Sequence, residues 1–291
     1  MAIVGSCVIP KYLRAALLVF SGFEMLSFAS GQSVGDFVIS SPHPVVQLVQ
    51  VEQLPSKNLN FTFSNASNKT ILQICVSAQR GFREMVCESG FTNGAGLTGP
   101  GETFSMNFDA SGFASDGQQN SLRVNAVVYT DGSHFGEIET LDTIRSRMFG
   151  VALETKRISD LLSNGSDDSV AGLDSVLPQI GTTPPSSIAE AAETVKGQSL
   201  PGISPSVISS YLMTPTPGIL EGVAQARDNV LYEIDEKKAI AASPLTESKD
   251  KQQAVLEARL HGRSDLAQKY LALHQSQISY LISFLGGRDV Q

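Results

Sequence analysis

Gly94-Ala95-Gly96-Leu97-Thr98-Gly99 spells G-x-G-x-x-G, the spacing that lets backbone amides approach a pyrophosphate. That chemistry needs a helix to follow, because the helix N-terminus supplies the positive end of the dipole. Here Pro100-Gly101 leads into Thr103 to Phe108, whose alternation predicts a strand, so the glycines read as a loop between strands. Gly96, Gly101 and Thr103 also have P-loop spacing, but Glu102 stands where a Lys must meet phosphate. A carboxylate repels that anion. No cofactor-binding residues are therefore assigned.

Asp131-Gly132-Ser133-His134-Phe135-Gly136-Glu137 brings two carboxylates and an imidazole into one short stretch. Asp-Gly between two strands is first a hairpin turn. Asp131, His134 and Glu137 are nevertheless the candidates for a cation, although their spacing does not fit an EF-hand loop. The other histidines are scattered. His43 lies between prolines, His261 follows Glu257 by four residues, and His274 falls on the apolar stripe of a C-terminal helix, where it reads as a core residue. No two histidines share metal-ligand spacing, and no G-x-S-x-G elbow occurs. No catalytic residue is assigned. A triad dispersed over the fold stays open, with His134 and Asp131 or Glu137 as its natural members.

Cys75 and Cys87 flank Arg80-Gly81-Phe82, which lies midway between two β-like runs. A three-residue loop centred on Gly81 sets residue 79 against 83, 77 against 85, and Cys75 against Cys87. Directly opposed residues bring Cβ atoms close enough for a disulfide. A loop one residue shorter turns the two sulfurs to opposite faces. The rival is a pair of reduced cysteines packed as small hydrophobes. Four Asn-x-Ser/Thr triplets begin at Asn60, Asn65, Asn68 and Asn164, and read as Asn-rich turns.

The elements that must position these groups change texture along the chain. From Ser33 to about Ile138, short alternating or β-branched runs are separated by Gly, Asn, Ser and Asp clusters. They predict an antiparallel β-sandwich of immunoglobulin-like architecture over 33–138, without the buried Trp of that fold. Helical periodicity begins near Thr140, with Leu141, Ile144, Met148, Val151, Ile158 and Leu162, and stops at Asn164-Gly165. Residues 166–186 read as a linker, and 187–291 as an α-helical region. There Ser187 and Glu190 have capping-box spacing, and Ser199 to Thr216 reads as surface loop. Thr216-Pro217 opens a helix that Ser243-Pro244 closes. The last helix runs from about Thr246 to Gly286-Gly287, with a stripe of Leu256, Leu260, Ala267, Leu271, Ile278, Leu281 and Leu285. The fold class is therefore α+β in two parts, strands and then helices. That order argues against an alternating nucleotide fold.

Hydrophobic residues form 42% of the 291-residue chain and charged residues 17%, enough apolar content for a core and too little charge for a disordered chain. The net charge of −8 gives no electrostatic case for nucleic acid. Lys11, Arg14, the apolar run Ala15 to Phe23, and small residues at Ser27 and Ala29 predict a signal peptide over 1–29. A run of nine residues is too short to cross a bilayer. The mature chain is expected in the periplasm or outside the cell, with no transmembrane span.

Val127-Val128-Tyr129-Thr130-Asp131-Gly132-Ser133, followed by Gly136-Glu137 and a helix, resembles a late strand in certain exported bacterial proteins of unknown function. Gly99-Pro100-Gly101-Glu102 is similar to a turn in the same group. The resemblance spans roughly Leu59 to Leu162 and implies export and a sandwich, with no activity and no site residues. Two functions follow as expectations. One is a non-enzymatic exported binding or scaffold module, with protein partners or self-association through the C-terminal helices. The other is a hydrolase with dispersed catalytic residues near His134.

Overall fold

The structure, a computed structural model, describes residues 32–34, 37–40, 45–56, 58–78, 85–109, 113, 120–213, 216–245 and 248–287. The expected signal peptide over 1–29 lies outside them. The fold is mixed, with two sheets rich in antiparallel pairing followed by helices.

The described strands are β1 (Gln32–Val34), β2 (Phe37–Ser40), β3 (Val46–Gln53), β4 (Leu59–Asn65), β5 (Ile71–Ala78), β6 (Met85–Ser89), β7 (Thr103–Phe108), β8 (Asn120–Tyr129) and β9 (His134–Gly136). One sheet has the order β3-β4-β7. The other has β1-β2-β8-β5-β6, with β9 also on β8. All pairings are antiparallel except β2 with β8.

Alternation decides which face is dry. In β7, Phe104, Met106 and Phe108 point inward and their neighbours outward. In β4, Phe61 and Phe63 do the same, and Phe61 meets Phe108 edge to face. These rings share a core with Ile71, Ile74 and Val76 of β5 and with Leu122, Val124, Val127 and Tyr129 of β8. Yet every residue of β5 is buried, because its other face is covered too. Leu72, Cys75, Ala126 and Val128 pack against helices. The larger sheet is thus the middle of three layers.

The helical layer holds α1 (Ile138–Ser163), α2 (Leu173–Ile180), α3 (Ile188–Thr194), α4 (Pro205–Met213), α5 (Pro217–Ala242) and α6 (Lys249–Gly286). The apolar face expected of α1 is buried throughout. Ser187 caps α3, accepting from the Glu190 amide at 3.2 Å, while Glu190 accepts from the Ser186 amide at 2.8 Å. Two segments expected without regular structure carry helices. Residues 166–186 contain a turn of 3-10 helix (Val170–Gly172) and α2, which buries Leu173, Val176 and Ile180 at helical spacing. Residues 199–216 contain α4, which begins at Pro205 and buries Ile208. Proline fits the first turn of a helix, where its missing N–H has no partner to lose.

The last helix keeps its expected stop and turns a different face inward. Its buried line is Val255, Ala258, Gly262, Arg263, Leu266, Tyr270, His274, Gln277, Ile278, Leu281 and Phe284. Leu256, Leu260, Leu271 and Leu285 of the expected stripe are exposed. Arg263 is held there by Asp168 at 2.6 Å and by the carbonyls of Leu162 and Asp167. It thereby satisfies the C-terminal end of α1.

A buried ion cluster fixes the middle of the layer. Glu154 of α1 is fully buried and accepts two bonds of 2.7 Å from Arg157 and one of 3.2 Å from Arg227 of α5. The two guanidiniums also donate to the carbonyls of Gln179, Ile180 and Thr183. One carboxylate therefore ties the α2–α3 connection to α1 and α5.

Candidate functional site

The structure separates the three candidates for a cation. Asp131 opens the turn between β8 and β9, where the Gly132 amide donates to Tyr129 O at 3.0 Å and Gly132 has a φ of 82°. Its carboxylate accepts from the Ser133 hydroxyl at 2.5 Å and pairs with Lys69 at 2.8 Å. Partial burial opposes the charged form, but the bonds from Lys69 and Ser133 outweigh it and hold the Asp131 pKa below the ordinary carboxylate value. His134 is buried, with Nδ1 3.0 Å from Gly132 O and its ring edge-on to Phe284 at 5.1 Å. Glu137 precedes α1 and pairs with Arg123 at 2.8 Å. Each candidate thus has its own partner. Among the described residues no group of three His, Cys, Asp or Glu side chains is placed to hold a metal ion.

The other motifs resolve into structure. The glycines after β6 form a loop that bridges Thr98 to Ile71 and enters β7. Asn65 is buried, donating to the carbonyls of Lys69 and Thr98 at 2.8 and 3.1 Å and accepting from Ser67, as an Asx turn does. Cys75 and Cys87 are bonded, and face each other in the β5–β6 register. The loop at 79–84 lies outside the described residues.

What the structure brings together instead is a groove of about 620 Å³ where the helical layer meets the β layers. The 3-10 turn Phe91–Asn93 after β6 supplies Thr92 and Asn93, and α1 supplies Val151 and Thr155. Ala226, Asn229, Tyr232, Glu233 and Glu236 come from α5, and Lys269, Tyr270, Ala272, Leu273 and Ser276 from α6. Its volume lies in the range of small-ligand sites. Val151, Ala226, Ala272 and Leu273 are apolar, whereas Asn93, Asn229 and Ser276 offer neutral hydrogen-bonding groups. Lys269 and Glu233 pair across the groove at 2.8 Å, leaving Glu236 as the excess charge.

Beside it lies a line of buried polar groups on α6. The Tyr270 hydroxyl, both ring nitrogens of His274 and both amide atoms of Gln277 make no hydrogen bond to the described residues. Burial, reinforced by Glu233, pushes the Tyr270 hydroxyl far above its ordinary pKa. Burial, helped by Lys156, lowers His274 to about 4. Both side chains are therefore neutral near pH 7. The core position expected of His274 is found, without the expected hydrogen bonds.

None of the groove residues belongs to a motif. The signal available in sequence was the row Asn229, Tyr232, Glu233 and Glu236, three or four apart on α5. No protein-family model matches the chain, and no curated protein or solved structure matches it significantly.

Proposed function

We propose that the chain is an exported, non-enzymatic binding module that holds an amine-bearing ligand of small-molecule size in the α1/α5/α6 groove. The observation that carries this reading is the composition of that groove. It combines an apolar wall, three neutral polar side chains, and two carboxylates against one ammonium. That balance favours a cation with an apolar body. Export is supported by the Cys75–Cys87 bond, which belongs to oxidising compartments. Among the described residues no helix is long and apolar enough to cross a membrane. An immunoglobulin-like sandwich is supported by β3-β4-β7 in one sheet and β6-β5-β8-β9 in the other, around one shared core. The alternative, a hydrolase around His134, gains no support from a ring packed on Phe284 and an Asp131 already paired with Lys69.

The test is thermal unfolding with a panel of primary amines, matched carboxylates and neutral analogues. Amines are expected to raise the midpoint. Saturation at one hundred times Kd is worth about 2.7 kcal/mol. Ala272→Trp, at an exposed groove position, should abolish the shift while leaving the unliganded midpoint unchanged. A panel without effect, or a shift that survives Ala272→Trp, refutes the reading.

A further inference from the structure

We propose that α6 pairs antiparallel with α6 of a second copy of this chain, about a two-fold axis beside Lys269. The face concerned is the one α6 turns away from its own core. Leu256, Leu260, Ala267, Leu271, Ile278 and Ile282 follow one another in alternate steps of four and seven. That is an 11-residue repeat, which an α-helix follows with little drift. At 100° per residue the six positions and Leu285 fall within an arc of about 80°.

Five of these side chains stand open to solvent, with Leu256 at 42%, Leu260 at 61%, Leu271 at 49%, Ile282 at 42% and Leu285 at 37% exposure. Between Gln253 and Leu285 the neighbouring outward positions are Glu257, His261, Ser264, Gln268, Gln275 and Ser279, with Glu257 the single formal charge. Depletion of charge around an apolar centre is the composition of an interface core.

The occupant follows from the spacing. Alternate steps of four and seven read the same from either end. Reversing one copy sets Leu256 against Ile282, Leu260 against Ile278 and Ala267 against Leu271, each twice. A two-fold interface requires such self-complementarity. The parallel alternative stacks Ala267 on its own equivalent and leaves a gap mid-stripe, whereas reversal fills the space above each Ala267 with a Leu271. From Leu256 to Ile282 the stripe is about 39 Å long, and one helix diameter is about 10 Å. The facing surface is therefore on the order of 400 Å², half of the roughly 800 Å² per partner in a standard interface. The polar flank adds to it, and the pairing is of modest strength.

Two measurements on the whole protein decide this. Sedimentation between 1 and 500 µM should show a reversible monomer–dimer equilibrium. Leu260→Glu with Leu271→Glu should hold the protein monomeric at an unchanged melting temperature. Under mild oxidation, Leu256→Cys with Ile282→Cys should yield a covalent dimer, because the two positions are too far apart to bond within one chain. Leu260→Cys alone should not. A wild-type monomer at every concentration overturns the proposal, whether another segment or another protein covers the face. A dimer that survives the double Glu variant overturns it as well, as does cross-linking by Leu260→Cys, which reports parallel pairing.

Discussion

His274 has the Lys156 ammonium and the Asp160 carboxylate of α1 as its charged neighbours, and lies among side chains that give it no hydrogen bond. Its folded pKa, about 4, is below the ordinary 6.5, first through burial and then through Lys156. The unfolded chain therefore binds a proton as pH falls through 6.5, while the folded chain does not until about 4. Stability from this residue is complete above 6.5, declines between 6.5 and 4, and is level below, a loss of about 3 kcal/mol. Urea midpoints of wild type and His274→Leu at pH 7 and pH 4.5 check it. The variant should be markedly less acid-sensitive, and equal slopes would remove the argument. Glu154 presents the opposite case, a charge that is buried and fully partnered. Glu154→Ala leaves Arg157 and Arg227 facing each other without their anion, and should lower the denaturation free energy by about 3–5 kcal/mol. A loss under 1 kcal/mol would mean that water replaces the carboxylate at no cost.

Helices α1 and α5 approach through glycine. A Cβ on Gly222 would lie 2.2 Å from Arg147 O, and one on Gly218 would lie 2.6 Å from Thr143 O. In an open helix Gly→Ala gains about 1 kcal/mol of propensity. Here the backbones must separate, which costs about 1–3 kcal/mol. Gly222→Ala should therefore lower the thermal midpoint, and a raised midpoint would show the pair to be loosely packed. This seam was not legible in sequence, because a glycine at an interface and a glycine in a weak helix look alike. The long helices were legible, since Leu141 to Leu162 and Val223 to Ile234 repeat at helical steps. The inward face of α6 was not. Its most apolar line is the exposed one, and its buried line includes Arg263, Tyr270, His274 and Gln277, whose places depend on partners far away in sequence. Short α2 and α4 were hidden by Pro178 and Pro205, which read as interruptions. The groove escaped for a related reason. Four separate elements supply it, and only the α5 row has any local pattern.

The middle sheet serves two cores at once, so the β layers and the helical layer are not independent units. Heating should give one calorimetric transition rather than two. A fragment of residues 33–138 would bare Leu72, Phe91, Ala126 and Val128, and should bind hydrophobic dyes or aggregate. A soluble, cooperatively melting fragment would refute this interdependence. The last turns of α6 carry a consequence in time. Leu281 and Phe284 sit in the core beside the sheet, and Gly287 and Gly132 leave no room for a side chain between them. A polypeptide is made and threaded from its N-terminus, so these contacts join segments about 150 positions apart, and loop closure over such spans is slow. The nascent chain stays unlocked until nearly its final residues emerge. It thus remains pliable for as long as any channel has to thread it, and sets firm only on release.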